Sequence, residues 1–361
     1  MSGQKELEFK GYAVTDPSAW SQLSVVPFQP KNFGPDDVEL AITHCGVCGS
    51  DLHTASGGWG PVSPPLIVGH EIVGKVTRVG ENVKDVKVGD RVGIGAQVGS
   101  CLKCRACNDN YENYCPNSIY TYAGQYPDGV RTQGGYATAI RAHHHFVFPI
   151  PDQLESRHAA PMLCGGVTVF SPLKANGCGP GKKVGVIGIG GLGHFAVMFA
   201  KAMGAEVWAF TRGTAKAEDA KKMGADHVVD TTVDGYWNDL FRTFDIIIST
   251  VDHFPPGVTL RNIFSMLYVH GKYITVGMPD MDEPLPTIHP FDITLNGCLV
   301  GGSAIGSRED VMEMLQLAAE KGIKPWIQEL PMKEASKAFE GVKSGKVRYR
   351  YVLQQDIAPV A

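Results

Sequence analysis

The sequence lacks an apolar run clean enough to cross a membrane. Its longest uncharged stretch, Val184–Ala200, is interrupted by five glycines and by His194. It also lacks a charge imbalance: 33 Lys and Arg face 37 Asp and Glu, for a formal net charge of -4. Nothing therefore draws the whole molecule to nucleic acid or to an acidic membrane surface. There is no internal repeat and no low-complexity tract. The opening residues MSGQKELEFKG hold no apolar core of a secretory leader, and the closing APVA carries no retrieval or lipidation motif. Nine cysteines without such a leader argue for a reducing compartment, with the cytoplasm as the expected location. Clustered thiols there are more often metal ligands than disulfides.

What is present is the composition of a soluble globular chain, 43% apolar and 19% charged. At 361 residues it is too long for one ordinary core, so two domains are expected. Residues 1–158 are rich in Val, Gly, Pro and turn signals. Val68–Val79, Asp90–Ile94 and His145–Pro149 read as strands of an antiparallel, barrel-like region, and no segment there sustains a long helical period.

From residue 159 to 303 the character changes. Strand-like Lys183–Ile189, Glu206–Thr211, His227–Asp230, Phe244–Thr250, Gly271–Val276 and Leu299–Gly302 alternate with helical stretches such as Gly193–Met203 and Ala215–Met223. That alternation predicts an α/β fold with a doubly wound parallel sheet. After a helix at Arg308–Lys321, the tail turns strand-like again at Val347–Leu353, so residues 304–361 are expected to rejoin the first domain.

Cys101, Cys104, Cys107 and Cys115 form C-x2-C-x2-C-x7-C. Four thiolates so closely spaced can wrap one ion tetrahedrally, the closed geometry of a structural zinc site. A ferredoxin run would end C-x3-C-P, and although Pro116 follows Cys115 the last gap here is seven residues. Four unlinked core cysteines are the bland alternative, which such clustering disfavours. A zinc dication with four thiolates is saturated and should brace a loop.

A second set is scattered: CGVCGSDLH over Cys45–His53, GHE over Gly69–Glu71, and LCGG around Cys164. Cys48, His70 and Cys164 would hold zinc with a charge near zero and a vacant position, which suits Lewis-acid catalysis. Singly, a buried Cys is usually a small hydrophobe and a buried His a satisfied polar group; the combination carries the reading. Cys45, Cys178 and Cys298 read as core.

Gly188, Gly190, Gly191, Leu192 and Gly193 form a G-x-G-x-x-G loop after a strand and ahead of a helix. There the glycines allow a tight turn, backbone approach to a pyrophosphate and helix–strand packing. The second strand should end in an acid if NAD were preferred, but Thr211 and Arg212 stand there, with Lys216 one turn on. Two cations and a hydroxyl suit a ribose 2′-phosphate, hence NADP(H), over the bland reading of a solvated helix start.

These motifs together resemble the zinc-containing medium-chain alcohol dehydrogenases, within them the cinnamyl alcohol dehydrogenase type, and nearest the fungal NADPH-dependent members. The likeness spans nearly the whole chain: CGVCGSDLH, PLIVGHEIVGKVTRVG, the four-cysteine loop, TQGGYA, PMLCGGVTVFSPL, VGVIGIGGLGH and VRYRYVL. It implies a GroES-like catalytic domain, a Rossmann domain, two zinc ions per chain and a homodimer built through the edges of two dinucleotide sheets. It implies catalytic zinc on Cys48, His70 and Cys164, with Glu71 as the carboxylate that can approach the ion, and structural zinc on the four clustered cysteines.

The resemblance further implies that Asp51 orients the His70 imidazole and that Ser50, the cofactor ribose and His53 relay a proton. Thr168, Ser303 and Arg348 resemble cofactor-side residues. Trp59 and Tyr120 fall where the cinnamyl group lines its pocket with aromatics, although many of its members carry Trp in place of Tyr120.

The expected reaction is hydride transfer between NADPH and a medium-sized or aromatic aldehyde, reversible as alcohol oxidation. The substrate is thus a small molecule, with neither nucleic acid nor membrane as partner. Reduction of an activated C=C or iminium group is the alternative chemistry, which would not need Ser50 and His53. A silent dinucleotide-binding regulator is the alternative outside enzymes; a complete ligand set, relay and cofactor loop argue against it.

Overall fold

In the computed structural model the described residues are 7–254, 258–283 and 286–358. The first six and last three residues, which bear part of the expectation of no targeting signal, lie outside them. The chain divides into two units, Met1–Cys164 with Ser307–Ala361, and Gly165–Gly306. These boundaries fall after the expected 158 and 303. At the first, the helix Ser156–Pro161 packs on the strands Asp37–Val47 and Ile72–Val79 and so belongs to the β-rich unit.

The β-rich unit is built around Asp37–Val47, an eleven-residue strand. Its neighbours run Ile327–Pro331, Arg350–Gln354, Asp37–Val47, Ile72–Val79, Arg91–Ile94, Phe148–Pro149, and Ala139–His143 also pairs with the long strand. Val38, Leu40 and Ile42 alternate along it, wholly buried, and join Ile72, Val76, Val92, Ile94 and Tyr136 in one apolar cluster. Each such side chain removed from water contributes about 1.5–3 kcal/mol. The tail strand pairs antiparallel with the long one, Leu353 opposite Cys45 and Tyr351 opposite Val47. The end of the long strand is thereby fixed just where the chain enters Cys48.

Two readings of this unit need correction. The strand expected from Val68 begins only at Ile72, because Gly69 turns the backbone with a φ of 101° and lifts His70 and Glu71 out of the ladder. Likewise His144–Phe146 is a 3₁₀ turn, and only Phe148–Pro149 is strand. The sequence also showed no helix here, yet Gly49–Ser56 is an α-helix whose first turn holds Asp51 and which closes on Gly57 in the left-handed region.

The other unit holds six parallel strands in the order His227–Asp230, Glu206–Thr211, Lys183–Ile187, Phe244–Ser249, Leu267–Thr275, Leu299–Gly302. Numbered within the unit, that is 3-2-1-4-5-6, the doubly wound dinucleotide order. Val184, Val186, Val207, Ala209, Ile247 and Ile248 are wholly buried, as strands covered on both faces require.

Candidate active site and metal centres

Three separate segments converge on one buried cluster. Cys48 precedes the helix Gly49–Ser56. His70 and Glu71 follow the Gly69 turn. Cys164 sits in a π-helical turn, Met162–Gly166, that follows Pro161; such widened turns recur at functional sites. The ligand atoms of Cys48, His70, Glu71 and Cys164 all lie within 4.8 Å of one another, and all four residues are buried. Cys48 Sγ is 3.9 Å from Cys164 Sγ, and His70 Nε2 is 3.0 Å from Cys164 Sγ.

This donor set fits a zinc ion. Two sulfurs on a tetrahedral zinc are about 3.8 Å apart. The hydrogen bond with Cys164 pulls Cys48 well below an ordinary thiol, while the same bond and burial push Cys164 well above one. Two thiols this close in a buried site cannot both ionise without a cation between them, which a zinc dication would supply. Glu71 is wholly buried and its Oε2 has no hydrogen-bond partner. Burial raises its carboxyl to about 7, even against the pull of Arg350. The Arg350 guanidinium donates to Glu71 Oε1 from the tail strand and is itself buried.

Around the imidazole, Asp51 Oδ1 lies 3.1 Å from His70 Nδ1. The same oxygen accepts the Gly69 amide at 3.1 Å, and Oδ2 accepts the Cys48 amide at 3.0 Å. The Tyr136 hydroxyl donates to Oδ2 at 3.0 Å, and the Tyr122 hydroxyl lies 3.0 Å from His70 Nδ1. A partner on Nδ1 fixes the ring and leaves Nε2 for a metal.

On the same helix Ser50 and His53 are only partly buried. Ser50 Oγ is 3.5 Å from Cys48 Sγ. The His53 ring stacks on Trp59, centroids 5.1 Å apart and planes 5° from parallel. Tyr120 is exposed on the short strand Ile119–Tyr120.

The four clustered cysteines come from one loop. Their sulfur separations are 3.5 Å for Cys101–Cys115 and Cys104–Cys107, 3.8 Å for Cys104–Cys115 and 3.9 Å for Cys101–Cys107. Those edges match the roughly 3.8 Å of a tetrahedron around zinc. Backbone amides of Cys104 and Asn117 donate to Cys101 Sγ and Cys115 Sγ, each at 3.4 Å.

In the parallel unit, Gly188 has a φ of 87°, and a Cβ on Gly193 would overlap the Gly188 carbonyl. A Cβ on Gly190 would meet nothing within 4 Å, so this backbone edge is open to a pyrophosphate. Gly191 and Leu192 complete the turn into the helix Gly193–Ala202. Thr211 is buried and its hydroxyl donates to the Gly213 carbonyl at 2.8 Å. Arg212 is exposed, and Lys216 Nζ donates to the Ile189 carbonyl at 2.7 Å. Thr168, on the helix Val167–Ala175, and Ser303, after the edge strand, belong to this unit, whereas Arg348 belongs to the β-rich one.

Sequence reasoning missed Tyr122, Tyr136 and Arg350. Tyr136 lay within TQGGYA and Arg350 within VRYRYVL, motifs noted without a task. A buried polar residue inside a strand was the available signal for Arg350.

Comparison with known proteins agrees with this geometry. The family described as "Alcohol dehydrogenase GroES-like domain" matches residues 34–152, and "Zinc-binding dehydrogenase" matches residues 191–320. NADP-dependent alcohol dehydrogenase 6 of Saccharomyces cerevisiae is 43% identical, over 96% of this chain and 96% of that one. A cinnamyl alcohol dehydrogenase structure from Sorghum bicolor superposes with a TM-score of 0.91 at 35% identity, covering 98% of this chain and 100% of that one. One from Helicobacter pylori, complexed with NADP(H), gives 0.88 at 34% identity, covering 96% and 98%. The chain belongs to the zinc-binding alcohol dehydrogenase family and is an oxidoreductase of that class.

Proposed function

We propose that this enzyme reduces a medium-sized or aromatic aldehyde with NADPH, reversibly, the β-rich unit holding the reacting centre and the parallel unit the dinucleotide. The observation that carries the reading is the buried meeting of Cys48, His70 and Cys164. A zinc ion held there would supply Lewis acidity, and a bound NADPH would supply the hydride.

The chain's own residues do the rest. Cys48 and Cys164 bring negative charge that leaves the loaded site near neutral, and His70 completes the three ligands. Glu71 lies beside the three ligands, its carboxylate paired with Arg350. Ser50 offers the hydroxyl beside the ligands, and His53 carries the proton outward, its ring held flat against Trp59. The four-thiolate loop takes a second, structural zinc. Trp59 and Tyr120 supply aromatic surface that favours flat substrates over ethanol-sized ones.

Arg212 and Lys216 receive the 2′-phosphate. The Thr211 hydroxyl donates to the Gly213 carbonyl and so shapes the loop that presents them. The names of the Saccharomyces and Helicobacter relatives, both tied to NADP, support this cofactor.

The protein works as a homodimer in the cytoplasm. The edge strand Leu299–Gly302 leaves Leu299 58% and Val300 41% exposed, an apolar edge that invites pairing with a second copy. None of the nine cysteines is in a disulfide, as a reducing compartment allows. Among the described residues no helix is long and apolar enough to cross a membrane.

The test is a panel of aliphatic, cinnamyl and furan aldehydes assayed with NADPH and NADH. NADPH should be preferred and bulky aldehydes favoured. Arg212→Ala should raise KM for NADPH about tenfold or more, the worth of a charge-assisted hydrogen bond, and leave NADH nearly untouched. Equal effects on both cofactors refute the 2′-phosphate assignment.

A further inference from the structure

We infer that the Thr132–Ala137 stretch exists to serve the metal site: it delivers the Tyr136 hydroxyl to Asp51. With Tyr122, whose hydroxyl lies on His70 Nδ1, it forms a two-hydroxyl clamp on the Asp51–His70 pair. The inference rests on His70 being a zinc ligand, and it gives two positioning residues to that site.

The stretch is laced to the His70 loop through its backbone. Gly134 donates to the Ile67 carbonyl at 2.7 Å, Gly135 to that of Gly69 at 2.7 Å, and Tyr136 to that of Val68 at 3.0 Å. Gly69 permits the approach: a Cβ there would stand 2.5 Å from Tyr136 Cδ1, well inside van der Waals contact. The Tyr136 ring is thereby driven under the loop, wholly buried, against Phe339 at 6.0 Å between centroids.

A phenylalanine would fill that apolar space equally well. Only the hydroxyl needs a partner, and it takes Asp51 Oδ2. A buried carboxylate has about four acceptor positions. For Asp51 the Cys48 amide, the Gly69 amide, His70 Nδ1 and the Tyr136 hydroxyl occupy them. Tyr122 adds the last constraint, its hydroxyl 3.0 Å from the same His70 nitrogen that faces Asp51. The carboxylate cannot rotate without breaking bonds on both oxygens. Since Asp51 sets the direction of the imidazole, the hydroxyls set how tightly Nε2 is aimed at the ion. Residues far apart in sequence thus act on one ligand through one carboxylate.

The experiment follows zinc release from the intact holoenzyme to a chromogenic chelator, which should be biphasic with one phase per ion. Cys164→Ser identifies the phase of the open site by deleting it. Tyr136→Phe and Tyr122→Phe should each accelerate that phase about tenfold or more, the usual worth of an outer hydrogen bond to a metal-site carboxylate, and leave the four-thiolate phase unchanged. Cobalt substituted at the open site should show displaced visible bands in the same variants.

An unchanged rate and spectrum in both variants overturns the clamp. So does equal acceleration of both phases, which would mean general loosening. If Tyr136→Phe does not fold, Tyr122→Phe carries the same test. If Cys164→Ser leaves both phases intact, the metal reading itself fails and the clamp with it.

Discussion

The two sulfur-rich clusters of the β-rich unit are assembled in opposite ways. The four-thiolate cluster comes from a single stretch of fifteen residues, Cys101 to Cys115, three of its members only partly buried. Its sulfurs are supported by local backbone amides. The open cluster gathers Cys48, His70, Glu71 and Cys164 from three distant segments, all buried, and surrounds them with Asp51, Tyr122, Tyr136 and Arg350. In the first, the ligands are local and an ion would organise the chain; in the second, the fold itself brings the ligands together. A closed site needs little beyond its ligands, whereas a reactive one needs every neighbouring charge compensated and each ring aimed.

That contrast can be broken by removing one ligand from each cluster. Cys48→Ser should abolish turnover and lower the metal content from about two ions per chain to about one, with the fold largely kept. An active Cys48→Ser enzyme would remove this residue from the reacting centre. Cys104→Ser should do the converse. Its main effect is on stability, a loss of a few kcal/mol that lowers Tm by roughly 2–4 °C for each, while the folded fraction keeps its kcat. A fall in kcat without a fall in Tm would exchange the two roles.

The compensation around the open cluster is tested next. Arg350→Ala leaves the Glu71 carboxylate buried and unpaired, which costs about 3–5 kcal/mol in urea unfolding. Adding Glu71→Gln should recover part of that loss, because no charge is then stranded. Additive losses in the double variant would mean that the two residues do not act as a pair.

The smallest effect belongs to the four-cysteine lobe, which is tied to the helix Arg308–Lys321 by Glu112. Burial alone would raise the Glu112 carboxyl, but the His145 imidazole, 3.4 Å away, and the hydrogen bond from the Arg308 amide outweigh it and hold the group below its usual value. Its contribution is therefore complete above the unfolded value of about 4.3 and disappears as pH falls through the lower folded value. Glu112→Gln should lower Tm by a constant amount, worth about 1 kcal/mol, between roughly pH 5.5 and 7. The gap should close below about pH 4. A gap that widens in acid would reverse the sign of this account.

Much of this was legible in the sequence because it is local. Glu206–Thr211, His227–Asp230, Leu299–Gly302 and the helix Arg308–Lys321 have the bounds their patterns indicate, since a short strand set off by turn residues and a capped helix each announce themselves within a few residues. The four-cysteine spacing is local in the same sense. The helix Gly49–Ser56 was illegible for the opposite reason. It is eight residues long, starts with Gly-Ser, and owes its place to Asp51 contacts with Gly69 and Tyr136 far along the chain. The π turn at Cys164 and the pairing of Arg350 with Glu71 are likewise long-range outcomes that no short window contains.

We propose that one chain carries one saturated and one open zinc site. Zinc K-edge absorption on the purified enzyme, with metal content measured on the same sample, tests it most directly. Two such sites give about two ions per chain and, averaged over both, about three sulfurs with one lighter donor per zinc. A single ion per chain, or an average of four sulfurs, would contradict it.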